Sequence, residues 1–567
     1  MCSPIIFWFV LKRLNSMVIV FHRVLAELAF ICTSGENRRT ARREIHLSNS
    51  LRTPSISAVR KTLRMVSTPA KKKSGLALWM QLVLDEFDRV GAEFAPDPVH
   101  DLRVALRRCR SVADSFILLD PNPAWKQMKK AGRSVFRSLG ELRDVQVTLE
   151  WITRLAGADD DVAASLTKIL LNREIELKAE AARALPEFDR KQWAKWSVAL
   201  PRRANKIRKG GIVFKNLALE RYAEAHRLHQ LALRNRSKVA FHNLRIGIKR
   251  FRYIVENFLP EQYGAWKSDL KELQDLLGEV HDLDVLWATL VQTNVLSSVE
   301  LRSRWNAKIV EERTRRVNQY RAKMLGKTAL WQVWRKGLPQ LAQIEASALA
   351  RLKVWAAALD PDFPQSQRAC RLALRLFDKM PAQNSESEPE KTRAILQTAA
   401  LLHDVGRSRK ERGHHKATYR LVEKLRPFPG RDSRFLHVAA TVARYHRGIL
   451  PGAGQRALHN FSLGEKQQIA KLAGLLRLAS ALENVRAGSL PALEIEDRGA
   501  SIVIALEGYS SLSKAAGRIA AARHLLETVV RRPILVRALV SRHPSPSIRK
   551  TSPKTGSLSV TPIRKTS

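Results

Sequence analysis

The chain has 567 residues and a mass of 64.1 kDa, with 99 Lys and Arg against 53 Asp and Glu, a net charge of +46 with His neutral and a pI near 10.9. Hydrophobic residues make up 45% of it, which excludes wholesale disorder, and 24 Pro with 26 Gly exclude a collagen-like or low-complexity chain. The length suits two to four domains, and a positive excess this large narrows the partner class to polyanions: nucleic acid, polyphosphate or an anionic membrane surface.

Residues 5–32 are apolar on average but are interrupted by Lys12, Arg13, Asn15, His22, Arg23 and Glu27. A membrane span needs about 20 nearly uncharged residues, and a signal peptide needs a clean apolar core before a small-residue cleavage site. Neither pattern is met. A basic stretch without periodicity runs on to about residue 75, and Met65 opens MVSTPAKKKSG just ahead of the first helical pattern. Residues 1–75 therefore read as an N-terminal extension, disordered or upstream of the true start, with a membrane-associated leader as the alternative. The cysteines, Cys2, Cys32, Cys109 and Cys370, stand in no CxxC or metal-ligand spacing. A disulfide framework or zinc site is not expected, and a reducing cytoplasm is the default location.

From Leu76 to about Pro339 apolar residues recur at three and four, the period of helices. The segment VHDLRVALRRCRSVADSF (99–116) returns as FHNLRIGIKRFRYIVENF (241–258), and LGELRDVQV (139–147) returns as LGEVHDLDV (277–285). The offsets are 142 and 138, so the region is a duplicated helical module, about 76–200 and 201–340, with a small insertion in one copy.

At 100° per residue, Arg103, Arg107 and Arg110 share one face with His100 at the start of the helix, and Leu102, Leu106, Cys109, Ala113 and Phe116 share the other. The second copy sorts in the same way, with His242, Arg245, Lys249 and Arg252 opposite Leu244, Ile248, Phe251, Val255 and Phe258. A solvated helical face normally mixes signs; these faces carry one sign for three turns, and Asp114 and Glu256 follow only one turn later. A second basic face accompanies each, Lys129 and Arg133 in the first copy and Lys267 and Lys271 in the second. Cations so close repel one another unless an anion compensates. Arg offers paired N–H groups to phosphate oxygens. Single-strand nucleic-acid binders interleave several aromatics for base stacking, and here only Tyr253 falls on a cationic face. A phosphate polymer without bases is favoured over nucleic acid.

Two copies of H-x-L-R-x-x-x-[RK]-R-x-R, each followed by LG-x-x-x-D-x-x-V, resemble the conserved histidine α-helical domain (CHAD) family over about residues 76–340. The resemblance implies a mainly α fold, a pair of helical bundles binding inorganic polyphosphate in a central basic channel. It maps the family's binding positions onto His100, Arg103, Arg107, Arg110, Arg133, His242, Arg245, Lys249, Arg252 and Lys271. Lys249 opposite Arg107 and Lys271 opposite Arg133 keep the charge but lose the guanidinium fork.

Residues 341–540 continue helical but concentrate histidines in LHDVG (402–406), HHK (414–416) and RYHR (444–447). ALEIEDRG-ASIVIALEG (492–508) alternates around a turn at Asp497–Gly499 and reads as a small β-hairpin, followed by a last helix over roughly 511–530. The basic Ser/Pro-rich residues 541–567 read as a disordered tail. His403 and Asp404 form the signature pair of HD phosphohydrolases, and together with LALRLFD (372–378), HHKATYRLV, VARYHRG and LLRLASALE they resemble the C-terminal HD-type domain of the exopolyphosphatase and guanosine-pentaphosphate phosphohydrolase family. The resemblance also exposes two departures: Gln365 stands where the first metal-ligating His is expected, and Ser480 where the last Asp is expected. The candidate divalent-metal ligands are then His403, Asp404 and His446, with His414 and His415 nearby in sequence, and His403 with Asp404 is the candidate catalytic pair. An incomplete shell argues against an enzyme and for an accessory or regulatory role.

The sequence thus predicts a cytoplasmic binder of inorganic polyphosphate, and of polyphosphate granules, that needs no cofactor. A metal-dependent phosphohydrolase acting on polyphosphate or nucleotides and a non-specific nucleic-acid binder are the alternatives.

Overall fold

The structure, a computed structural model, describes residues 75–157, 159–380, 388–452, 454–486 and 488–539. The expectations for the N-terminal extension and for the tail lie outside the described residues. The described residues belong to one compact unit, mainly α, with one small sheet near its C-terminal end. No helix among the described residues is long and apolar enough to cross a membrane.

The first module opens with α1 (Leu76–Ala92), α2 (Pro96–Phe116), α3 (Pro123–Ser138) and α4 (Gly140–Leu155), followed by α5 (Asp161–Ala184) and α6 (Arg190–Ala204). Its second copy has α7 (Ile212–Asn235), α8 (Lys238–Phe258), α9 (Pro260–Gln292), α10 (Val299–Met324) and the short α11 (Leu330–Lys336). The stripe helices are α2 and α8. Both begin a turn before their histidine, so His100 and His242 lie inside the helices rather than at their start. Pro96 and Pro98 cause no break in α2, because the first turn has no intrahelical N–H bonds to lose. Ser237 caps α8 by accepting from the Ala240 N–H.

The difference between the two repeat offsets lies at one turn. Ile117–Asn122 joins α2 to α3, whereas Leu259 alone joins α8 to α9. In the first copy the helix after the stripe is also divided at Leu139, where the second copy runs on unbroken through Gly278.

The two copies share one core, and repeat-related residues touch across it. Phe116 and its equivalent Phe258 meet edge to face at 5.6 Å, and Phe214 stacks on Phe258 at 4.2 Å. Trp125, Trp193 and Trp334 are fully buried in the same core. An ion pair also crosses between copies: Arg108 donates to Glu256, and both side chains are nearly enclosed. The Arg108 guanidinium lies 4.0 Å from the Trp79 ring centroid.

The second module comprises α12 (Leu341–Ala357), α13 (Phe363–Lys379), α14 (Pro389–Leu402), α15 (His414–Glu423), α16 (Ser433–Arg444), α17 (Leu463–Glu483) and α18 (Lys514–Val530). The expected hairpin is present: β1 (Leu493–Asp497) pairs antiparallel with β2 (Ile502–Leu506), with Leu493 opposite Leu506. At its turn Gly499 takes a positive φ of 71° and donates its N–H to the Asp497 carboxylate. A third strand, β3 (Ile534–Ala538), was not read from the sequence. It returns through α18 to pair parallel with β2, which makes β2 the buried central strand. The last helix is capped by Ser513 and starts at Lys514.

The two modules join through α12, which packs on α7 and carries Arg351, only 5% exposed, into bonds with Glu220 and Asn216 of that helix.

Replacing Arg108 by Ala leaves Glu256 largely enclosed with only Arg252, 3.7 Å away, to answer it. Thermal or denaturant unfolding should show a loss of about 2 kcal/mol, below the 3–5 kcal/mol seen when a fully buried pair is broken. An unchanged midpoint would mean that the pair does not hold the copies together.

Candidate functional site

The cationic faces of α2 and α8 turn toward each other across a cavity of about 1090 Å³. Twelve Lys and Arg side chains line it against three Asp. Arg103, Arg107 and Arg110 come from α2, and His242, Arg245 and Lys249 from α8. The apolar faces of both helices are in the core, as the amphipathic pattern requires.

These cations are poorly answered by the protein itself. The Nε atoms of Arg107, Arg110 and Arg245 are buried without a hydrogen-bond partner. Burial, with Arg245 and Arg107 alongside, pushes the Lys249 amine well below its usual range. Burial pushes Arg103 down to about 10, and Arg107 and Arg143 push the same way while Asp144 opposes them. Each of these shifts shows a positive charge held where water solvates it badly and neighbours repel it.

Two acids sit among them, Asp144 and Asp282, repeat equivalents at the D of LG-x-x-x-D. Burial raises both, Asp282 to about 6, although Arg245 and Lys249 work against the rise. Beside Asp282, His281 brings its Nδ1 to 3.3 Å from that of His242, and burial pushes His281 down to about 4. Neither the two acids nor His281 was singled out from the sequence. The Asp recurring at the 138 offset was the available signal.

Aromatic rings are present but engaged. Arg103 lies 4.2 Å and Arg110 5.0 Å from the Phe136 ring centroid, and Arg103 also donates to the Phe136 carbonyl at 2.8 Å. At the far wall Arg351 lies 4.1 Å from the Phe428 centroid. Tyr253 reaches the cavity from α8 but is only 5% exposed.

Four of the sequence-derived positions do not line this cavity. Burial, with Arg143 and Arg107 alongside, lowers the pKa of His100. Arg133 is exposed and acts on Arg110. Arg252 turns toward Glu256. Lys271 lines a shallower hollow with Glu272, Asp275 and Glu279. Lys129, from the second basic face, lines the cavity and is paired with Asp114.

In the second module the histidines of three elements converge. His403 and Asp404 follow α14, His414 opens α15, and His446 follows α16. The Nε2 atoms of His414, His446 and His403 lie 3.1, 3.6 and 3.7 Å from Asp404 Oδ1, and those of His414 and His446 lie 3.4 Å apart. Each Nδ1 is spent on a backbone carbonyl, of Ala400, Glu411 and Ala443 respectively for His403, His414 and His446, at 2.7–2.9 Å. A carbonyl only accepts, so each Nδ1 carries the proton and each neutral Nε2 presents a lone pair. Four acceptor atoms therefore face one another.

A proton relieves part of that conflict. Its bond to Asp404 raises the His414 pKa, while burial and His403 hold His446 well below its usual range. Burial works to raise the Asp404 carboxyl, but His403 and His414 more than offset it and leave it well below the carboxylate range. A divalent metal suits the same place: neutral imidazole Nε2 atoms with their Nδ1–H oriented by carbonyls, plus one carboxylate, are a donor set for zinc-like ions. The ligand atoms of the candidate set His403, Asp404 and His446 lie within 4.8 Å of one another, and His414 adjoins Asp404 and His446.

The two departures have structural occupants. Gln365 donates to Glu483 at 2.9 Å, and Arg368 binds the same carboxylate at 2.7 Å. Ser480 keeps its Oγ buried and unpartnered. Around the histidines the charge is positive: Arg407 is 3.6 Å from Asp404, and Lys416, Arg444 and Arg447 all bear on His415.

Residues 80–291 match the family described as CHAD domain, spanning both stripe helices and both LG-x-x-x-D segments. Residues 316–507 match the family described as Ppx/GppA phosphatase, domain III, from within α10 to the end of the hairpin. The chain carries both domains in tandem, a combination that fits a polyphosphate-related role.

Gly406 lets α15 approach the HD turn. A Cβ there would stand 2.2 Å from the His414 carbonyl oxygen and 2.5 Å from the Thr418 nitrogen. Gly406→Ala should cost about 2 kcal/mol in unfolding experiments, as overpacking does. It should also displace His414 from Asp404, seen as a changed His414 titration by NMR.

Proposed function

We propose that the chain binds inorganic polyphosphate in the cavity between α2 and α8. The observation that carries this reading is the twelve-to-three excess of cations over carboxylates around one cavity, with Arg103 and Arg107 matched by Arg245 and Lys249 at equivalent positions of the two repeats. A linear phosphate chain supplies repeated negative charge without bases to place. That suits a cavity whose Phe136 and Phe428 rings already face the protein's own guanidinium groups, and it makes nucleic acid the weaker partner, since stacking needs free ring faces. Arg107, Arg110, Arg245 and Lys249 meet the phosphate oxygens in this reading, and the second module is accessory. The same reading puts the protein on polyphosphate granules in the cytoplasm.

Titrating Arg107→Ala/Arg245→Ala/Lys249→Ala with polyphosphate should show affinity lower by about a hundredfold or more, as each charged hydrogen bond is worth about 1.5–3 kcal/mol. The slope of log K against log salt should shrink by about 2, using the counterion release of flexible single-stranded polyanions. RNA at matched phosphate and salt should compete poorly; if RNA wins, the cavity serves nucleic acid.

Binding should also tighten as pH falls from 7 to 5. Asp282 titrates near 6, and a bound polyanion favours its uncharged form, so binding takes up a proton. His242 and His281, held low by burial, add uptake of the same sign. Asp282→Asn should bind more tightly at pH 7 and flatten the profile. A wild-type profile that rises with pH would overturn this assignment.

A second reading rests on the histidine cluster: a metal-dependent phosphohydrolase. His403, Asp404, His414 and His446 would hold the ion. When bound, a divalent metal supplies Lewis-acid polarisation of a phosphoryl oxygen or an activated water. Arg407, Lys416, Arg444 and Arg447 surround the site with the charge that draws a phosphate group toward it. Elemental analysis of purified protein should find about one transition metal per chain, lost in His446→Ala. Phosphate release that requires the metal separates the enzyme from a structural site.

A further inference from the structure

We infer that the bend after α15 is part of the polyphosphate site: Lys424 and Arg426, on the second module, carry the phosphate chain onward from the cavity of the first. The inference rests on the polyphosphate reading of that cavity and adds to it a place on the other module.

Lys424 and Arg426 line the same cavity as Arg245 and Lys249. Both are exposed, and neither side chain has a carboxylate or hydrogen-bond partner among the described residues. Two other cations of the lining are already engaged, since Arg221 and Arg250 both bind Glu224 at 2.8 Å. The bend therefore supplies uncommitted positive charge to the cavity.

Its position is enforced by buried polar contacts. Phe428 and Arg431 exchange two backbone hydrogen bonds. Arg431, 2% exposed, donates to Glu345 of α12 at 2.5 Å. Asn216, fully buried in α7 of the first module, donates to the Pro429 carbonyl at 3.2 Å and to Ser347 at 3.0 Å. Arg351 covers the Phe428 ring and binds Glu220. Gly430 adopts a φ of 84°, and a Cβ there would stand 2.9 Å from Ala348. A surface loop seldom needs anchoring of this kind. Here it fixes the bend against the other module and leaves its two charges directed at the cavity, so an anion meets them already in place and loses little of its binding energy to ordering them. In the proposed site, a bound chain long enough to leave the α2–α8 cleft reaches Lys424 and Arg426 on the same cavity lining.

The test compares full-length protein with Lys424→Ala/Arg426→Ala and with Lys424→Glu/Arg426→Glu, using long-chain polyphosphate and tripolyphosphate. The thermal midpoint should stay put, since both side chains are exposed. For the long chain, the Ala pair should lower affinity about tenfold and reduce the salt slope by about 1, and the Glu pair should lower affinity further. Tripolyphosphate, short enough to be satisfied by Arg107, Arg245 and Lys249, should change less than twofold. Variants that bind the long chain like wild type would overturn the inference, and so would an equal loss for both probes. If wild-type protein binds neither probe, the polyphosphate reading of the cavity fails and the inference falls with it.

Discussion

Repulsion among cations is the constraint on which the rest of the first module depends. Arg103, Arg107, Arg110, Arg245 and Lys249 face one cavity, several of them with buried nitrogens that no acceptor reaches. Left alone, such an arrangement favours swinging the side chains into water or opening the cleft. The fold prevents both. The stripe helices are pinned on their other faces by a shared aromatic core, with Phe116 against Phe258, and by the Arg108–Glu256 pair between copies. The Phe136 ring holds the Arg103 and Arg110 guanidinium groups in place. Asp144 and Asp282 dilute the charge without neutralising it, and their own raised pKa values show how poorly solvated the cavity is. A cavity held open against its own field is prepared for an anion, because the cost of assembling the charges is met in folding rather than in binding.

Much of this was legible in the sequence, and the reason is symmetry. Period 3.6 separates Leu102, Leu106 and Cys109 from Arg103, Arg107 and Arg110 in one copy, and the second copy repeats the separation at a fixed offset. A pattern seen twice at matching positions marks a face that is used. What stayed hidden was what depends on neighbouring helices. Arg252 belongs to the stripe by angle, yet Glu256 one turn on draws it aside. Lys271 matches Arg133 by offset, but it lies in an acidic hollow. Asp282 and His281 looked like ordinary helix residues until α9 brought them against α8. The strand β3 escaped for a similar reason, as five residues beyond a helix show no hairpin signal and gain their partner only through the crossover.

The histidine cluster shows the opposite relation between motif and structure. Aligning on the HD pattern gives two missing ligands at Gln365 and Ser480, and the structure fills those places with a Gln365–Glu483–Arg368 network and a lone hydroxyl. Spatially, His414 is brought against Asp404 and His446, because Gly406 lets α15 approach the turn and the carbonyls of Ala400, Glu411 and Ala443 fix all three rings in one tautomer. Four converging acceptors are costly to bury unless a cation or a proton answers them. The bond to Asp404 raises the His414 pKa, which favours a proton in that place. Competition between that proton and a metal would make metal affinity rise with pH, opposite in sign to the pH dependence proposed for anion binding in the cavity.

These opposed dependences bear on how the modules work together. They are joined by buried polar contacts, Asn216 with Ser347 and Pro429 and Arg351 with Glu220, rather than by a tether. Polar contacts of this kind lose their full value if the modules shift by an ångström, since each leaves a buried donor unpaired. The junction therefore fixes α15 relative to the cavity. That helix has His414 at one end and Lys424 just past the other, ten residues that span about 15 Å. One rigid helix thus carries an acceptor cluster at its start and unpaired cations beyond its end, two features of opposite chemistry held at a fixed separation.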